Sequence, residues 1–206
     1  MDQAERGSRR DPKPARLTSL PNLLGLARIA ATPIVVALLL LGFAGSGLLA
    51  FVTFALASIT DFIDGRIARA RGQVSPLGVF MDLTADKVLV AGVLVAMVEV
   101  ELLPTWMVAL LLIRELVVQG VRQVAAGSSV VMPAGSLGKS KTFATMLGMG
   151  LLLLAFDAAT GGPMGAGTRD ILYSAGYWLM VVATALSVVS GWEYVRAALP
   201  VLTGNS

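Results

Sequence analysis

Cysteine and histidine are both absent from this chain of 206 residues, and only 14% of its residues are charged. Without cysteine there are no disulfides and no thiolate metal sites, and the redox compartment is left open. Without histidine, a general base has to be Asp, Glu, Lys or Tyr. A metal site has to use oxygen ligands, which favours hard cations such as Mg²⁺. Apolar bulk takes the place of charge: 56% of the residues are hydrophobic and the mean hydropathy is +0.79, outside the balance of a soluble domain.

The apolar residues gather in six segments, roughly 20–43, 48–70, 76–98, 104–125, 138–157 and 171–198. Each is long enough to cross a hydrocarbon core at helical rise, whereas barrel strands would be shorter and would alternate. The sequence therefore predicts an all-α fold, an integral membrane bundle of six transmembrane helices. Thr18 and Ser19 before Pro21 and Asn22 make a helix start that allows a short N-terminal juxtamembrane helix. Glycine and proline mark the breaks between segments. No repeat or linker divides the chain, which reads as a polar basic tail at 1–17, one membrane domain at 18–200 and a tail at 201–206. The start lacks the apolar core and small-residue cleavage site of a signal peptide.

Charge is distributed one-sidedly. Arg6, Arg9, Arg10, Lys13 and Arg16 in the tail fall on one side with Arg66, Arg69, Arg71, Arg122, Lys139, Lys141 and Arg196. The other side holds only Arg169. The positive-inside rule then puts both termini in the cytoplasm of a multi-pass protein of the cell (inner) membrane. A net charge of +3 in so apolar a chain suits anionic lipid headgroups rather than nucleic acid. Glu99, Glu101, Asp157 and Asp170 fall on the external side, where solvated roles are expected. Trp106, Trp178, Trp192, Tyr173 and Tyr177, mostly near segment ends, read as interface anchors.

Four carboxylates interrupt the second and third segments: Asp61, Asp64, Asp82 and Asp86. The first two are three residues apart and the last two are four apart, so on helices each pair projects from one face. A turn at Gly72 to Pro76 makes the two helices antiparallel neighbours and lets the four acids converge near the cytoplasmic end. Such a cluster would repel itself and stay protonated without divalent cations. Two ions about 4 Å apart would satisfy it and clamp the oxygens of a phosphoryl transfer. Gly65, Ala68 and Gly78 share these faces and leave room for a bulky ligand, while Arg69 is within reach of a phosphate. Simple polar contacts between helices are the plainest alternative. A proton- or cation-coupled transporter also carries acids inside a bundle, but here they cluster at one end and no segment is broken at mid-span.

The run Asp61-x2-Asp64-Gly65-x2-Ala68-Arg69-x8-Gly78-x3-Asp82-x3-Asp86 resembles the complete signature of the CDP-alcohol phosphotransferase family. Eight fixed types would match by chance on the order of 10⁻¹⁰ per starting position. The resemblance implies that an alcohol attacks the lipid-linked phosphate of a CDP-activated lipid and CMP leaves. It further implies that the four aspartates hold two divalent ions, Mg²⁺ or Mn²⁺, and that Asp86 is the base. Asp64, Gly65, Ala68, Arg69 and Gly78 would line the CMP moiety and pyrophosphate, and the enzyme would be a homodimer.

The acceptor depends on other residues. Arg114 lies near the middle of the fourth segment, where a charge costs about 2.5 to 3.5 kcal/mol on insertion scales. With Arg122, Lys139 and Lys141 it forms a candidate site for the phosphate of a water-soluble acceptor. Glu115 is a candidate partner for Arg114, Arg28 either binds headgroup or nucleotide or else snorkels, and Lys87 either tunes Asp86 or neutralises it. The stretches Pro21-Asn22-Leu23-Leu24 with Arg28, Ala85-Asp86-Lys87, Ile113-Arg114-Glu115 and Gly138-Lys139-Ser140-Lys141-Thr142 resemble the bacterial phosphatidylglycerophosphate-forming branch of the family. CDP-diacylglycerol and sn-glycerol 3-phosphate are then the implied substrates. Gly25 departs from the threonine common in that branch, and inositol phosphate or phosphatidylglycerol remain alternative acceptors.

Overall fold

The computed structural model describes residues 20–70, 76–127 and 136–202. Among them the chain is helical with short connections: α1 Leu20–Leu41, α2 Ser46–Ala70, α3 Pro76–Glu99, α4 Thr105–Gly127, α5 Ser136–Ala159 and α6 Arg169–Leu202, with a single 3₁₀ turn Ala166–Thr168 before α6. The six apolar segments thus become six helices, with ends shifted by a few residues. The tail and the helix start at Thr18 and Ser19 lie outside the described residues.

The bundle closes as a ring. Helix α1 packs on α2 and α3, α2 reaches α5, α5 runs along α6, and α6 packs on α4, while α3 and α4 touch only lightly. The core between them is apolar, with Leu39, Leu89, Met97, Leu152, Leu153 and Met180 almost wholly enclosed. Backbone proximity makes the α5–α6 contact the most extensive. A Cβ on Gly148 would lie 3.2 Å from the Gly176 carbonyl oxygen, and one on Gly176 would lie 3.1 Å from that of Gly148. Small residues at a helix crossing admit van der Waals contact over a long line, the main source of helix association where the solvent is hydrocarbon.

Large apolar side chains cover the outside, among them Leu41, Leu116, Phe143 and Ile171. A surface of this kind belongs against lipid. Among the described residues three helices are long and apolar enough to cross a membrane, over Leu23–Leu41, Ser140–Ala159 and Ala166–Leu199, with a shorter apolar stretch at Ser46–Thr60. The 34 residues of α6 span about 51 Å at helical rise, well beyond a hydrocarbon core of about 30 Å.

Candidate functional site

The signature residues fall on two continuous helices. Asp61, Asp64, Gly65, Ala68 and Arg69 occupy the C-terminal part of α2, and Gly78, Asp82 and Asp86 the N-terminal half of α3. Helical spacing puts Asp61 with Asp64, and Asp82 with Asp86, on common faces. The side chains of these eight residues and of Lys139 lie outside the described residues. Among the described residues no group of three or more acids is gathered for a metal. The all-oxygen donor set of the four aspartates fits Mg²⁺ or Mn²⁺.

Arg28 approaches this region from α1. It is buried, and its Nε donates to the Ala57 carbonyl at 3.3 Å, one helical turn before Asp61. The guanidinium therefore lies in the seam between α1 and α2 instead of snorkelling outward. Gly92 lets α3 close on the same part of α1, since a Cβ there would meet Thr32 Cγ2 at 2.5 Å.

Helices α3, α4 and α5 enclose a cavity of about 270 Å³. Its inner wall is apolar, with Leu94, Leu111 and Met146, and its polar side carries Lys87, Glu115 and Lys141. Glu115 joins the two lysines: Lys87 Nζ donates to Oε1 at 2.5 Å and Lys141 Nζ to Oε2 at 2.6 Å. Arg114 Nη1 also reaches Oε2, at 3.2 Å. Three cations from three helices thus share one carboxylate.

Arg114 and Arg122 do not line this cavity. The rest of the Arg114 guanidinium is directed at α6, where Nε donates to the Ser187 carbonyl at 3.0 Å and Nη2 to Ser190 Oγ at 2.8 Å. Gly191 makes space for it, because a Cβ there would lie 2.8 Å from Arg114 Cγ. The exposed Arg122 donates to the Tyr194 hydroxyl at 2.8 Å and lies 5.0 Å from the centre of its ring. Among the described side chains, Lys141 is the predicted acceptor residue found in the cavity wall. Lys87 joins it through Glu115, a link that the sequence alone does not show. The available signal was the acid beside Arg114 within an apolar helix.

One expectation is corrected. Asp157 is not solvated: its exposure is 0%. Its Oδ1 accepts the Leu48 N–H at 3.0 Å and its Oδ2 the Met164 N–H at 3.0 Å, satisfying otherwise unpaired backbone donors at the start of α2 and in the α5–α6 connection. The acid is followed by glycines for a steric reason, since a Cβ on Gly162 would lie 2.2 Å from Asp157 Oδ1. Glu99, Glu101 and Asp170 are exposed, as are Trp106, Trp178 and Trp192. Tyr173 and Tyr177 stack at 5.9 Å between ring centres.

The profile of the CDP-alcohol phosphatidyltransferase family matches residues 18–189. A CDP-diacylglycerol–glycerol-3-phosphate 3-phosphatidyltransferase of Bacillus subtilis is 35% identical over 191 residues, covering 85% of this chain and 93% of the relative. Proteins of the same name from Rickettsia bellii and Cereibacter sphaeroides are each 33% identical, covering 87% and 89% of this chain and 94% and 97% of the relatives.

Proposed function

The chain belongs to the CDP-alcohol phosphatidyltransferase family and is a transferase, and we propose that it moves the phosphatidyl group of CDP-diacylglycerol to sn-glycerol 3-phosphate. The products are phosphatidylglycerophosphate and CMP. The observation that carries this reading is the near-full-length match to enzymes named for that reaction.

In this reading residues 18–200 form one six-span domain of the inner membrane, with residues 1–17, 201–206 and the active site on the cytoplasmic side, and two copies associate as a homodimer. Asp64, Gly65, Ala68, Arg69 and Gly78 hold the cytidine and pyrophosphate, the small residues letting the ligand lie against the helix backbone. Asp61, Asp64, Asp82 and Asp86 would hold two Mg²⁺ or Mn²⁺ ions, which when bound neutralise charge on the reacting phosphate and align it. The Asp86 carboxylate takes the proton of the glycerol hydroxyl as that oxygen bonds to the lipid-linked phosphorus. The bond from phosphorus to the CMP oxygen breaks, and CMP departs to water.

Lys141 holds the acceptor's phosphate from the cavity wall. Lys139, two residues earlier on α5, and Arg122, near the end of α4, draw the anion in. Arg114 supports the site from behind, through Glu115 and α6. Lipid enters sideways from the bilayer and the acceptor from the cytoplasm, which accounts for an apolar cavity with a charged side. Incubation of the purified protein with both substrates and Mg²⁺, followed by mass analysis of the lipid, tests the reading. Phosphatidylglycerophosphate is the expected product, and formation of a different phosphatidyl ester would reassign the acceptor.

A further inference from the structure

Two lysines that face one cavity and are joined by a single carboxylate make an arrangement that a phosphate can reproduce. Lys87 meets one oxygen of Glu115 and Lys141 the other, just as two oxygens of one phosphate would meet two ammonium groups. Without an anion between them, two cations at this depth in a bundle would be strongly unfavourable. Glu115 meets that need, and it is the most exposed of the three, at 35% against 28% for Lys87 and 12% for Lys141. That exposure gives the Glu115 carboxylate open space to turn into when a competing anion takes over its ion pairs. The adjoining cavity of about 270 Å³ exceeds the share of several waters, each about 30 Å³, and has room for a small phosphate ester.

We propose that Glu115 is a stand-in anion: between turnovers its carboxylate fills the seat between Lys87 and Lys141 that the acceptor's phosphate takes during the reaction. The inference rests on the acceptor reading given above and adds to it a positioning residue that sets acceptor choice. A phosphate dianion carries more charge and more acceptor oxygens than a carboxylate, so it displaces Glu115 by stronger charge-assisted hydrogen bonds. A neutral alcohol makes no such bonds and leaves the seat closed. Glu115 thereby raises the threshold for any acceptor lacking a phosphate. Arg114, hydrogen-bonded to α6 on its other side, stays in place as the third cation through the exchange.

The test uses the full chain in detergent with Mg²⁺ and CDP-diacylglycerol, comparing the unmodified protein with Glu115→Gln and Glu115→Asp. Glu115→Gln keeps the size and removes the charge. Its KM for glycerol 3-phosphate should fall about tenfold, with inorganic phosphate becoming a correspondingly stronger competitive inhibitor. The KM for CDP-diacylglycerol should stay within about twofold, because that ligand meets other residues. Glu115→Asp keeps the charge but draws the carboxylate back by one methylene, weakening its hold on both lysines, and its acceptor KM should fall by less. If Glu115→Gln does not fold, the aspartate variant decides by the same criterion. An acceptor KM that is unchanged or raised in the folded variants overturns the inference, since a purely structural brace predicts that result. Failure of the unmodified protein to use glycerol 3-phosphate would sink the acceptor reading instead. Glu115 is then judged by the thermal shift that inorganic phosphate produces, which should be larger in Glu115→Gln than in the unmodified protein and would overturn the inference if equal or smaller.

Discussion

The carboxyl group of Asp157 accepts the backbone N–H of Leu48 at 3.0 Å, joining the end of α5 to the start of α2 across 109 residues of sequence. Its other oxygen holds Met164, so one side chain fixes two helices and a loop at the end of the bundle remote from the aspartate signature. Asp157→Ala removes both bonds and leaves two donors without that partner, a loss of about 2 to 4 kcal/mol at roughly 1 to 2 kcal/mol per group. A lowered unfolding midpoint in detergent checks this. Asp157→Asn retains one carbonyl acceptor and should fall between the two.

Arg114 gives the second prediction. Its fork spans Ser187, Ser190 and Glu115, and the single ammonium of lysine cannot reproduce three separate directions. Arg114→Lys should lower the unfolding midpoint by several degrees, in keeping with about 1 to 2 kcal/mol. Gly191→Ala should do likewise by pressing a methyl against the same side chain. Equal midpoints for all three proteins would remove Arg114 as the brace between α4 and α6.

Much of the fold was legible in the sequence because apolar runs bounded by glycine and proline carry helix position directly. The ends of α2 and α3 agree with the segments read from composition to within a few residues. What was illegible is partnership between distant helices. Asp157 reads as solvated because it precedes a glycine-rich connection, and nothing local reveals that the Leu48 and Met164 N–H groups donate to it. Arg114 reads as an anion site on its own helix, but Ser187 and Ser190, more than seventy residues away, take most of its hydrogen bonds. In the sequence Glu115 pairs only with its neighbour, whereas in the fold Lys87 and Lys141 arrive from α3 and α5. Pairing partners depend on helix packing, which periodicity does not encode.

In the proposed reaction Asp86 is the base, and Asp86→Asn retains size while losing that capacity. CMP release should fall by about 10² to 10⁴, the usual range for removing a general base, and further if metal retention suffers. The unfolding midpoint provides the control for folding. Turnover near that of the unmodified protein would end the assignment of Asp86 as base.

The absence of cysteine makes topology accessible to direct labelling. Ser8→Cys and Gln73→Cys should react with an impermeant thiol reagent only after the cytoplasmic face is opened. Ala44→Cys and Ala166→Cys should react in intact cells. Labelling of Ser8→Cys and Ala44→Cys from the same side would contradict the assignment of α1 as a full span.

The central claim is that the aspartates of α2 and α3 serve phosphatidyl transfer and not cation transport, and it is tested most directly by CMP release from labelled CDP-diacylglycerol across an acceptor panel. The account predicts release that needs both Mg²⁺ or Mn²⁺ and an acceptor, ceases with a chelator, and is fastest with glycerol 3-phosphate compared with inositol phosphate, inositol and phosphatidylglycerol. Folded protein that releases no CMP with any of these acceptors, yet drives cation or proton flux in proteoliposomes, would contradict it.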